Sequence, residues 1–110
     1  MKTIKFTDIL SKMILNGEKT TTWRLFDDKN LRTVDHVEFV NKSTMEKFGE
    51  ADLISVVEKD MRNLNDDDAE GHEHIDSLEE IYKRYDCYYP NKNIGPDTKI
   101  KIIKFIFIKD

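Results

Sequence analysis

Residues 16–26 read NGEKTTTWRLF. Asn16-Gly17 is a pair of backbone breakers, and the threonine-rich, aromatic run behind it has the composition of a β-strand. The pattern predicts a strand over 20–26. Alternate residues of an extended chain face opposite sides. Trp23 then lies in phase with Thr21 and Leu25 on a core face, while Thr20, Thr22 and Arg24 share the other. Lys19 stands just before the strand, where alternation need not hold. A strand that only packs has little use for two cations so placed. The plain alternative is an edge strand whose polar residues point into solvent.

Upstream, TIKF (3–6) reads as a short strand or lead-in. Thr7 is a helix cap, Asp8 suits the positive end of a helix, and Ile9, Leu10, Met13 and Ile14 recur at helical spacing. Gly17 is the natural left-handed residue after that helix. Downstream, DDKN (27–30) is a turn. HVEFV (36–40) alternates, with Val37 and Phe39 on one face. FGEADLISVVE (48–58) is the next strand, with Gly49 marking a bend or bulge.

From Asn63 the chain turns acidic and helical. Asn65 caps a short turn whose first positions, Asp66 to Asp68, read as a solvated helix start. Ser77 opens a further helix with Leu78, Ile81, Tyr82 and Tyr85 on one face. CYYPNKNIGPDT (87–98) reads as a loop, which leaves Tyr88 and Tyr89 placed to stack on a base. KIKIIKFIFIKD (99–110) closes the chain as a long strand. Its alternation slips at Ile102-Ile103, the mark of a bulge or of burial on both faces, and it is too apolar for an open edge. Four or five such strands around short helices point to a small, mostly β barrel, without repeat or linker.

Composition narrows the function classes. The chain has 110 residues, 38% hydrophobic and 36% charged, and reads as one domain over 1–110. No apolar run approaches the ~20 residues that span a bilayer. Lys2 and Lys5 lead into an amphipathic helix rather than an apolar stretch, so neither a signal peptide nor a membrane partner is expected. The one cysteine, Cys87, excludes an internal disulfide and fits a cytoplasmic location. Net charge is −4, divided as +2 over residues 1–47, −9 over 48–90 and +3 over 91–110. That is not the basic footprint of a protein that grips duplex by its phosphates. A nucleic-acid partner would need a local pocket or a narrow groove. GHEH (71–74) with Cys87 invites a metal reading, but a structural zinc site needs four ligands in close pairs and there is no second pair. No metal and no cofactor are expected, and His72 reads as a surface or groove-lining residue.

Gly17-x-Lys19-x-x-x-x-Arg24 resembles the G-x-K-x-x-x-x-R signature of the ASCH domain, a relative of PUA-like barrels. ILNGEKTTTWR, HVEFV, FGEADLISV, GHEHIDSLEEIYKRY and KIIKFIF resemble its members in order and spacing over nearly the whole chain. One departure is Val34 before Asp35, where members often carry Gly-Asp; valine disfavours a left-handed backbone, so that turn is expected to differ here. The resemblance implies an α+β fold: a PUA-like β-barrel of about five or six strands flanked by two or three short helices. It implies a cleft beside the signature, binding a nucleoside or single-stranded RNA through Gly17, Lys19, Thr20, Thr22, Arg24, His72, Tyr88 and Tyr89. One branch is similar to N(4)-acetylcytidine amidohydrolases, which use a lysine, a threonine and a glutamate. These fall on Lys19, Thr22 and, if SLEEI is aligned by its Ser-Leu start, Glu80, with Glu79 or Glu73 as fallbacks. Ribonuclease activity of the same cleft is a third possibility. The oligomeric state is not legible.

The chemistry stands without the resemblance. A threonine hydroxyl attacks an amide only if a base takes its proton. A lysine serves if burial and a neighbouring cation lower its pKa, and Arg24 is such a cation. Arg24 would also hold an oxyanion or a phosphate. Glu80 would orient the lysine or pass a proton to the leaving amine. Against that, Ser77-Leu78-Glu79-Glu80 equally reads as a capping box that occupies the same carboxylate.

Overall fold

The computed structural model describes residues 1–26, 29–72 and 77–110, without the Leu78 side chain. The expected turn at 27–30 is thus only partly within it, and Glu73 and His74 lie outside. The five strands are β1 (Lys2–Phe6), β2 (Thr21–Leu25), β3 (His36–Asn41), β4 (Lys47–Asp60) and β5 (Lys99–Lys109). They form one mixed sheet in the order β1-β3-β4-β5-β2. The helices are α1 (Asp8–Leu15), α2 (Asp66–Ala69) and α3 (Leu78–Tyr88), with a 3₁₀ turn at Met61–Asn63.

The frame is the long antiparallel β4–β5 pair, and irregularities of register in the sheet curl it into a half-barrel. Leu53 pairs with Phe105 and Ser55 with Lys104, so Ile54 is the extra residue of a bulge. A second irregularity sets Phe39 opposite Gly49 and Val40 opposite Lys47. Gly49 is required there by close approach, because a Cβ would run into the Phe107 ring and the Ile108 carbonyl.

The concave side holds Ile4, Phe6, Val37, Phe39, Leu53 and Phe105, closed by Ile14 of α1. The other side packs Trp23, Leu25, Ile100 and Ile102 beneath Met61 and the Ile81 and Tyr85 face of α3. Ile102 and Ile103 are therefore buried on opposite faces of one strand, which is why alternation slips there; the bulge lies in β4 instead. Both edges of β5 are paired, with β4 and with β2.

Several expectations change in detail. Ile9 is 73% exposed, and Ser11 takes its place in the buried stripe of α1 because its hydroxyl donates to the Thr7 carbonyl. α3 runs through Tyr88, so Cys87 and Tyr88 are helical rather than in a loop. Asp68 is not a solvated helix start. It is buried, pairs with Lys59 at 2.7 Å and exchanges both bonds of a capping box with Asn65. Val34 adopts the left-handed backbone that its side chain disfavours, at φ +71°. The turn survives because Val34 N–H donates to the Leu53 carbonyl, and because the Asp35 carboxylate accepts from Arg32 N–H and Lys2 Nζ.

Candidate functional site

β2 is an outer strand, yet its edge is covered. Thr20 and Thr21 N–H both donate to the Gly71 carbonyl, at 2.8 and 3.1 Å. Thr21 Oγ1 donates to the Glu70 carbonyl at 2.6 Å, and Trp23 Nε1–H to the Asp68 carbonyl at 3.0 Å. Residues 68–72 thus form a strap along β2. Gly71 makes it possible: its φ is +79°, and a Cβ there would collide with Thr20 Oγ1. The strap lays His72 flat on Trp23, with ring centroids 4.0 Å apart.

Arg24 ties the two edges of the sheet together. Its Nη2 donates to the Lys5 carbonyl at 2.7 Å, and its guanidinium sits 4.9 Å from the Phe6 ring centroid. Between this bridge, the strap and the C-terminal half of α3 lies a cleft of about 370 Å³. The aromatic side chains of Trp23, His72, Tyr85, Tyr88 and Tyr89 are among its lining residues. Lys5, Arg24, Lys42 and Arg84 supply positive charge, and among the described residues no carboxylate lines it. Tyr85 is anchored in the core and lies nearly parallel to Tyr89, while Tyr88 is 58% exposed.

Of the expected site residues, the structure brings Thr22, Arg24, His72, Tyr88 and Tyr89 to this cleft. Gly17, Lys19, Thr20 and Glu80 are not among its lining residues. Gly17 takes its expected left-handed backbone at the end of α1, φ +79°. Lys19 is wholly buried, and its Nζ donates to the Thr21 carbonyl at 2.8 Å. Glu80 has its N–H capped by Ser77 Oγ at 3.2 Å, and its carboxylate reaches Arg84 at 3.1 Å. It touches the site through that arginine. Glu79 is exposed on α3.

Sequence reasoning missed Lys5, Lys42 and Arg84. Lys5 carried a signal, since it alternates with the buried Ile4 and Phe6. Arg84 carried another, one helical turn before Tyr88. Lys42 had none, because only the sheet order brings the end of β3 beside β1. Among the described residues no group of three His, Cys, Asp or Glu side chains is placed to hold a metal ion, and no helix is long and apolar enough to cross a membrane.

The sheet order, the bulged β4–β5 pair and the flanking helices define a small α+β half-barrel. No family model and no curated protein matches the chain. Solved structures do. An ASCH domain from Lactobacillus crispatus superposes with a TM-score of 0.69 at 16% identity, over 94% of this chain and 72% of that one. An ASCH protein from Zymomonas mobilis gives 0.64 at 15%, over 94% and 65%. A DUF984 protein from Enterococcus faecalis gives 0.70 at 14%, over 92% and 71%. The fold is that of the ASCH domains.

Proposed function

We propose that this chain binds nucleic-acid components, and that the cleft takes one nucleotide unit of a nucleotide or single-stranded RNA. The observation that carries this reading is the lining: aromatic side chains for a base and four cations for a phosphate, with no carboxylate among the described lining residues. In a chain of net charge −4, such a lining marks a local anion site, not a general surface property. Aromatic side chains stack on any base, and a guanidinium binds phosphate with two parallel hydrogen bonds. Trp23 is the sole tryptophan and lines the cleft, so its fluorescence reports occupancy. Cytidine monophosphate should change it saturably at low salt. Arg84→Gln should weaken binding about tenfold, the scale of one charge-assisted hydrogen bond. No saturation up to millimolar nucleotide would end this reading.

A second reading, removal of the acetyl group from N(4)-acetylcytidine, is favoured by one arrangement: Thr22 lines the cleft, and the wholly buried Lys19 lies three residues before it. A lysine acts as a base only as the neutral amine. Acetate release should then rise with pH, and fall at least ~100-fold in Lys19→Arg and in Thr22→Ala. A guanidinium cannot give up its proton, so arginine does not rescue. No turnover above background between about pH 6 and 10 would leave the binding reading alone.

A further inference from the structure

The helices cover only part of the convex side of the sheet. Ile100 and Ile102 of β5 are buried there in the cluster that α3 closes. Ile106 and Ile108 lie in phase with them on the same side, yet are 55% and 46% exposed. Val57 of β4, opposite Ile102, is 46% exposed, and the bulged residue Ile54 is 53% exposed. Apolar residues scattered singly over a surface need no explanation, but four aliphatic side chains on two paired strands form one strip. None of the four lines the cleft.

An acidic strip runs beside it. Asp52 is directly opposite Ile106, and Glu50 is opposite Ile108. On the next strand, His36 is opposite Asp52 and Glu38 is opposite Glu50. Paired residues share a face, so the rows read His36, Asp52, Ile106 and Glu38, Glu50, Ile108. Glu38 against Glu50 places like charges directly opposite each other, which costs stability. Lys47 pairs with Glu50 at 2.6 Å, and His36 bonds both Glu50 and Asp52. Asp110 stands 3.7 Å from Lys47. Four carboxylates thus share one lysine and one imidazole, and the strip stays net negative whether or not His36 is protonated. Lys104, in phase with Ile106, is drawn away to the Asp67 carbonyl at 3.0 Å.

An apolar strip flanked by surplus acid selects its partner by charge. A second copy of this chain, related by a two-fold axis, would bring the same carboxylates into one interface. An anionic surface would be repelled. A cationic amphipathic helix suits both strips, because it carries an apolar stripe and a basic border side by side. We propose that this bare face of β4 and β5 docks such a helix from another protein, with aliphatic side chains on Ile54, Val57, Ile106 and Ile108 and lysines or arginines against Glu38, Glu50 and Asp52. The proposal does not depend on the reading of the cleft.

The probe is a helical peptide of about 18 residues, with leucines along one face and lysines on the rest. Its control is the same peptide with glutamate for lysine. With the full chain, the lysine peptide should bind saturably, with amide shifts centred on Asp52, Ile54, Ile106 and Ile108, and the glutamate peptide should not bind. Ile106→Thr combined with Ile108→Thr keeps strand propensity and should weaken binding at least ~10-fold. Glu38→Gln should weaken it about threefold and lower its salt dependence, while the melting temperature holds or rises because the like-charge pair is gone. A melting temperature that falls in Glu38→Gln would mean that this carboxylate serves the fold, and would overturn its docking role. Equal binding of the glutamate peptide, shifts centred on α2, or full affinity in the double threonine variant would overturn the proposal. So would a dimer in sedimentation velocity that the double variant abolishes, since the occupant would then be a second copy.

Discussion

Trp23 is the point where core, strap and cleft meet, and its replacement has a calculable cost. The side chain is 5% exposed, packs with Leu25, Ile81, Tyr85 and Ile102, and donates its indole N–H to the Asp68 carbonyl. Trp23→Ala removes the ring, a loss of about 3–5 kcal/mol. It also strands the carbonyl that held the strap, a further ~1 kcal/mol or more. A domain of this size is stable by about 5–15 kcal/mol, so that variant sits near the folding threshold and is a poor probe. Trp23→Phe is the better one. It keeps a ring in the core but loses the indole bond and part of the buried area, together about 1.5–3 kcal/mol. At roughly 4–8 °C per kcal/mol for a domain near 100 residues, melting should fall by about 10–20 °C. Far-UV circular dichroism during heating and in urea measures this directly. A Trp23→Phe protein that melts within about 2 °C of the parent would mean that the indole does not hold the strap.

Three further outcomes follow from other sites. His36 lies between Asp52, 2.6 Å from Nδ1, and Glu50 at Nε2, and these bonds, Asp52's first, raise its pKa above the ordinary 6.5. A raised folded-state pKa gives stability that is present in full below 6.5 and lost as pH rises through the folded value. Urea midpoints should therefore fall as pH rises above about 6.5, and His36→Asn should flatten that slope. Val34 is 88% exposed at φ +71°, so Val34→Gly discards no packing. Relief of about 1–2 kcal/mol of left-handed strain, less ~0.5–1 for glycine's unfolded-state entropy, predicts a net gain of ~0.5–1 kcal/mol in urea titration. Glu80→Gln removes a negative charge beside Arg84, so nucleotide affinity should rise about twofold at low salt with stability changed by less than ~1 kcal/mol. Loss of acetate release in that variant, with the fold retained, would instead make Glu80 catalytic.

Most of the fold was legible because it rests on local patterns: the threonine-aromatic strand, the alternation of HVEFV, and the doubly apolar closing strand. The caps at Thr7, Asn65 and Ser77 were legible for the same reason, since a cap is a relation among near neighbours. What escaped depended on long-range contact. Val34 tolerates a left-handed turn only because Leu53 and Asp35 fix its flanks, and Asp68 is buried only because Lys59 comes alongside from β4. The site divides the same way. Thr22 and Arg24 could be placed on one face by period alone. The partners of Arg24 could not, because the Lys5 carbonyl and the Phe6 ring come from the opposite edge of the sheet. Lys19 shows the limit most clearly: its position at the mouth of β2 was evident, but its burial against the Thr21 carbonyl was not.

The aromatic, cation-lined cleft beside β2 is where we propose that a nucleotide sits. Amide and indole NMR spectra of the labelled chain, titrated with cytidine trinucleotide, test it most directly. Shifts should concentrate on the Trp23 indole N–H and on the amides of Lys5, Arg24, Arg84 and Tyr88. Shifts centred instead on the exposed Ile54, Ile106 and Ile108 of β4 and β5, or no shift at saturating ligand, would contradict it.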